Sequence, residues 1–214
     1  MSPSVSPCPP TRRRWLGAAV ALAAGTASPG WMRPALAGPL SLTPSQAEGP
    51  FYPLRLPQDH DADLLRHGLL TTRHGEAAWL EGRVLDPDGR PVTGAAVEIW
   101  QCDHQGHYHH PGDGDRADPA FQGFGRALAD AEGRYRFRTL RPVAYQGRTP
   151  HIHVKVRLDR HTLLTTQLYV EGEAGNLRDP LWRRLDEAGR QALTRPFQRG
   201  VDGWRANFPL VVQA

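Results

Sequence analysis

Cysteine and long apolar runs are what this 214-residue sequence has least of, and its charge excess is confined to one end. Cys8 and Cys102 are the only two cysteines. Cys8 falls in a segment that reads as a removable leader, so the remainder keeps one thiol and no disulfide, which excludes a small bridge-stapled scaffold. That is unusual for an exported domain and suits one that folds, around a metal for example, before export. The apolar stretch after Trp15 is broken by Gly25, Ser28, Pro29 and Gly30. It falls well short of the roughly 20 residues of a spanning helix, which excludes a stable membrane anchor. The formal charge is +4, but Arg12, Arg13, Arg14 and Arg33 all lie in the leader-like segment. The rest is close to neutral, which removes the electrostatic case for a nucleic-acid partner. No internal repeat is present.

The stretch "TRRRWLGAAVALAAG" joins an arginine cluster to a short apolar core, and "PALAG" supplies a small-x-small site ending at Ala37. Residues 1–37 therefore read as an export signal of the twin-arginine type, and the expected location is periplasmic or extracellular. Residues 38–78 are rich in Pro, Gly and His with little periodicity, and predict an extended N-terminal arm. From Trp79 to residue 214 the texture changes. "WLEGRVL", "AAVEIWQ", "RYRFRTL", "HIHVKVRL" and "LLTTQLYV" are short runs rich in β-branched and aromatic residues, with turn signals such as "DPDG" and "DAEG" between them. The fold class expected is all-β, a β-sandwich with long loops. One C-terminal surface helix is expected over 179–193, starting at Asp179-Pro180, and "NFPLVV" is expected to close the sheet.

In "GRTPHIHVKV", residues 147–156, strand alternation puts Ile152, Val154 and Val156 on one face and His151, His153 and Lys155 on the other. The first face is core in character. Neutral imidazoles bind many first-row ions, so the histidines alone do not choose among Zn, Cu, Ni and Fe. Tyr108 and Tyr145 narrow the choice if they are ligands, because a phenol with pKa near 10 ligates only when a strongly polarising cation holds it as phenolate. Each tyrosine also fits an ordinary buried aromatic with its hydroxyl bonded to backbone. His104, His107, His109 and His110 in "HQGHYHH" compete as ligands for Zn or Cu. Trp100 reads as core and Cys102 as a small buried thiol.

Four words occur in order between about residues 43 and 172: "PSQAEGPFYP", "GRPVTGAAVEIWQCDHQGHY", "FQGFGRALADAEGRYRFRTLRP" and "YQGRTPHIHVKV". On these words the chain resembles the intradiol ring-cleavage dioxygenases, non-haem ferric enzymes that open catechols between the two hydroxyl-bearing carbons. The resemblance is to the protocatechuate 3,4-dioxygenase branch and its exported single-domain relatives. It implies one Fe(III) per chain held by Tyr108, Tyr145, His151 and His153, with Tyr145 the ligand that substrate displaces. It implies catalytic roles for Arg148 and Gln167, and a pocket lined by Gly49, Pro50 and Arg148. The implied substrates are a catechol-type diol and O2, the product a cis,cis-muconate-type diacid. A homo-oligomer is left open. The six-residue step from Tyr145 to His151 is shorter than in the protocatechuate and catechol enzymes, which leaves the choice of catechol open. The rival is a metal-free transthyretin-like β-sandwich, which accounts for the strands and turns but not for Tyr108 or for Arg148 joined to His151 and His153.

Overall fold

Period-two alternation builds the sandwich. The computed structural model describes residues 38–214, so the leader read over residues 1–37, with Cys8, lies outside it. Arg66–His67 (β1) and Leu70–Thr71 (β2) make a small hairpin. The larger strands follow: Ala77–Leu85 (β3), Ala96–Trp100 (β4), Phe124–Leu128 (β5), Arg134–Leu140 (β6), His151–Leu158 (β7) and His161–Val170 (β8). In β6 Tyr135, Phe137 and Thr139 are buried while Arg134 and Arg136, which alternate with them, are exposed, the pattern of a strand with one face on the core.

After two helices, Pro180–Arg183 (α1) and Glu187–Leu193 (α2), come four short strands: Thr194–Arg195 (β9), Gln198–Gly200 (β10), Gly203–Asn207 (β11) and Leu210–Val211 (β12). One sheet runs β10-β11-β3-β6, with β12 paired to the far end of β3; the other runs β5-β4-β7-β8-β9. Leu80 and Phe137 from the first meet Val97, Ile99, Ile152, Val154 and Leu168 from the second in one buried core. Gly82 permits the closest approach in the first sheet, since a Cβ there would lie 2.2 Å from the Phe208 carbonyl oxygen.

The single helix expected over 179–193 is two. It begins as expected, with the Asp179 carboxylate accepting the N–H groups of Leu181 and Trp182. The first helix ends with Arg184 as its C-cap, and Asp186 then takes extended backbone and caps a second helix through the Gly189 N–H. Among the described residues no helix is long and apolar enough to cross a membrane.

The arm lies along the face of β7 and β8 turned away from the core. The Gln46 N–H donates to the Thr165 carbonyl (2.8 Å), the Gln167 side-chain amide to the Ala47 carbonyl (3.0 Å), and the Tyr169 hydroxyl to Gln46 (2.8 Å). β7 is consequently buried on both faces over His151–Val156.

Candidate metal centre

Register fixes the neighbours of the two histidines. His151 stands opposite Tyr169 on β8, and His153 lies between Trp100 on β4 and Gln167 on β8. Both imidazoles are 1 % exposed, and their Nε2 atoms converge to 3.2 Å. His151 Nδ1 sits 2.6 Å from the Thr149 carbonyl, which only accepts, so the proton belongs on Nδ1 and the Nε2 lone pair is free. Burial keeps both rings neutral, bringing His151 down to about 4 and His153 well below its ordinary value. Two neutral imidazoles with converging nitrogens are what a metal requires.

The tyrosines close the cluster. Tyr108 is fixed in the loop after β4, where its N–H donates to Asp113 (2.8 Å); Tyr145 sits in a turn closed by mutual backbone bonds with Arg148. Their rings meet edge to face at 5.0 Å; Tyr145 lies 5.5 Å from the His151 ring and Tyr108 6.2 Å from that of His153. The buried Tyr108 hydroxyl makes no well-formed hydrogen bond. Burial first of all pushes both phenols above their ordinary value, so a polarising cation is needed to hold either as phenolate. Among the described residues no three His, Cys, Asp or Glu side chains gather to hold a metal. The protein donors that stand beside the two imidazoles are therefore the phenols, and two phenols with two imidazoles fit a hard, highly charged ion.

Arg148 and Gln167 are in direct contact. Arg148 Nη2 donates to Gln167 Oε1 (2.7 Å) and Arg148 Nε to Asp179 Oδ2 (2.7 Å). In the sequence Asp179 reads only as a helix start; it is fully buried and also accepts the Thr149 N–H at 3.1 Å. Gly49 and Pro50 are exposed at the edge of the cluster. Gly49 has φ +78°, and a Cβ there would lie 3.2 Å from His153 Cε1. Phe51 stacks on Tyr108 at 4.6 Å, and a cleft of about 340 Å³ opens between Phe51, Trp100, Tyr108 and His110.

The other histidines are engaged elsewhere. His109 Nε2 faces the Asp118 and Phe121 carbonyls, His110 Nδ1 accepts the Gly112 N–H, His104 stacks on His74 at 4.8 Å, and His107 faces Asp113 at 3.4 Å. Trp100 is buried as expected, but it stacks on His153 at 4.7 Å and 9°, so it belongs to the site wall. Cys102 is a buried free thiol that burial pushes up to about 12.

The family profile described as dioxygenase matches residues 47–196. The protocatechuate 3,4-dioxygenase beta chain of Burkholderia cepacia is 41 % identical over 133 residues, 58 % of this chain and 57 % of that one. Catechol 1,2-dioxygenase 2 of Acinetobacter lwoffii is 33 % identical over 184 residues, 77 % of this chain and 62 % of that one. The chain thus spans under two thirds of the length of these relatives. Among solved structures, the dioxygenase domain of a dioxygenase carbohydrate-binding protein fusion from Streptomyces sp. SirexAA-E superposes with a TM-score of 0.66 at 30 % identity, covering 81 % of this chain and 99 % of that domain.

Proposed function

Because this chain belongs to the intradiol ring-cleavage dioxygenase family, we propose that it is a ferric dioxygenase. It opens a catechol-type diol between its two hydroxyl carbons with O2, giving a cis,cis-muconate-type diacid. The observation that carries this reading is the convergence of two neutral imidazoles and two buried phenols with no carboxylate among them. Tyr108, Tyr145, His151 and His153 would hold the iron. When bound, ferric iron would withdraw electron density from a chelated catechol and so open the ring to O2.

The chain's own residues supply the rest. Tyr145 is the more exposed phenol, at 8 % against 2 % for Tyr108, and sits in the turn that leads into β7. It is the ligand suited to leave and to take a proton from the incoming diol. Arg148 keeps its charge beside Gln167 and Tyr145, oriented by Asp179, where it stabilises negative charge that develops on the opening ring. Gly49 leaves room beside His153 that any larger residue would fill. A metal-free sandwich module has no use for such a cluster. The arginine-led segment before Ala37 supports export as the setting.

The test is metal content, colour and product together. Iron-loaded protein should carry about one iron per chain, absorb visible light through its tyrosinates, and convert catechol or 3,4-dihydroxybenzoate to a colourless diacid. His151→Ala should lose the iron and His109→Ala should keep it. A yellow semialdehyde product would place cleavage beside the diol and sink the assignment, as would protein that stays colourless after ferric loading.

A further inference from the structure

Lys155 is the only lysine in the chain; every other cationic side chain apart from histidine is an arginine. It occupies the third site-facing position of β7, after His151 and His153, and its side chain is only 8 % exposed. A buried ammonium is costly unless paired, and this one is held twice over by the arm. Its Nζ pairs with the Glu48 carboxylate and lies 3.5 Å above the centre of the Tyr52 ring. The Tyr52 hydroxyl in turn donates to Glu98 (2.8 Å), a buried carboxylate directly opposite Lys155 on β4.

Glu48 and Tyr52 flank Gly49, Pro50 and Phe51, so both ends of that segment are tied to one point of the sheet. What the segment then touches is the metal centre: Gly49 against His153, and Phe51 on Tyr108 at 4.6 Å and beside Tyr145 at 6.0 Å. Tyr52 also stands edge-on to Trp100 at 5.0 Å, which stacks on His153 at 4.7 Å. A continuous column therefore runs from ammonium to imidazole. Lysine suits the place because a compact point charge on a slender stem can serve a carboxylate and a ring face together, whereas a planar guanidinium is wider.

We propose that Lys155 is a positioning residue for ring cleavage. Its ammonium seats residues 48–52 as one wall of the substrate site and sets the gap between that wall and His153. The inference rests on the metal assignment made above. The test uses the full iron-loaded chain as wild type, Lys155→Met, Lys155→Arg and Glu48→Gln. Methionine keeps the stem volume and removes the charge, and Glu48 is 43 % exposed, so Glu48→Gln does not threaten folding.

Amide hydrogen exchange of Glu48, Gly49, Phe51 and Tyr52, the residues of the segment that carry an N–H, should quicken in Lys155→Met and in Glu48→Gln, with iron present or removed, and Lys155→Arg should restore part of the protection. With catechol as the probe, KM should rise roughly tenfold while kcat changes little, the pattern of a displaced wall rather than a damaged reaction centre. Exchange over 48–52 unchanged in both charge-removing variants would overturn the proposal, because a space-filling role alone survives the methionine. So would an unchanged KM. A wild-type chain that stays colourless after ferric loading, yet whose wall still depends on Lys155, would overturn the proposed function and leave the seating of the wall intact.

Discussion

At Asp179 a single carboxylate serves two structures. It caps α1 through the N–H groups of Leu181 (3.0 Å) and Trp182 (3.1 Å), and it receives Arg148 Nε at 2.7 Å. Burial alone would push its pKa up; the Arg148 hydrogen bond, the Trp182 and Thr149 N–H groups and the Arg148 charge hold it below the usual carboxylate range. Asp179→Asn keeps the shape and removes the charge, leaving a largely buried guanidinium unpaired. The expected loss is roughly 3 kcal/mol of stability by denaturant unfolding, with turnover reduced while bound iron is retained. His151, His153 and Arg148 were legible in the sequence because they stand in one short word, and the two histidines also share one strand face. Asp179 was not, since its partner is 31 residues away and its local signal, an acid before proline, is wholly accounted for by capping.

Among the elements, those with strict alternation were legible to the residue. The runs "RYRFRTL" and "HIHVKVRL" coincide with β6 and β7. β5 was missed because "FGRAL" is short and carries a glycine, and its pairing with β4 supplies the order that propensity does not. β9, β10 and β11 are two to five residues long; β9 is a parallel addition to β8, and β11 joins the first sheet by pairing parallel to β3, with β10 antiparallel on its other side. No local pattern of that length announces a partner more than a hundred residues away, as β3 is for β11. The arm was legible as extended chain, but the site wall it makes depends on contacts with Thr165, Gln167 and Tyr169. Gly82 in β3 carries the element-scale prediction. Its added methyl group would meet the Phe208 carbonyl oxygen at 2.2 Å and the Tyr135 hydroxyl at 2.9 Å, both fixed by the bond between them. Gly82→Ala should therefore cost about 2 kcal/mol or more by overpacking. Its melting temperature should fall, whereas alanine at Gly38, which has nothing within 4 Å of its added Cβ, should leave it unchanged.

Over the whole molecule, buried imidazoles and buried carboxylates make acid the weak side by separate routes. Burial brings His151 down to about 4, below its ordinary 6.5, and moves His153 the same way. Between those two pH values the unfolded chain binds a proton that the folded chain refuses, so stability falls as pH drops through that window. At about 1.4 kcal/mol for each pH unit the window spans, the His151 contribution alone is about 3 kcal/mol. Asp179 and Asp113 act lower down. Burial opposes them, but Arg148 for one, and the Tyr108 N–H with Arg116 for the other, keep both below the usual range. Their stabilisation is present above the ordinary carboxylate value and is lost as pH falls through their folded values. Metal-free protein should thus show a urea midpoint that is level above pH 7, declines between about 6.5 and 4, and declines again below that. A midpoint level down to pH 5 would mean that the imidazoles are not held neutral by burial. Iron-loaded protein should hold its midpoint to lower pH than the metal-free chain, and should lose its colour only where that midpoint falls, because protons must then displace a cation before they reach the same nitrogens.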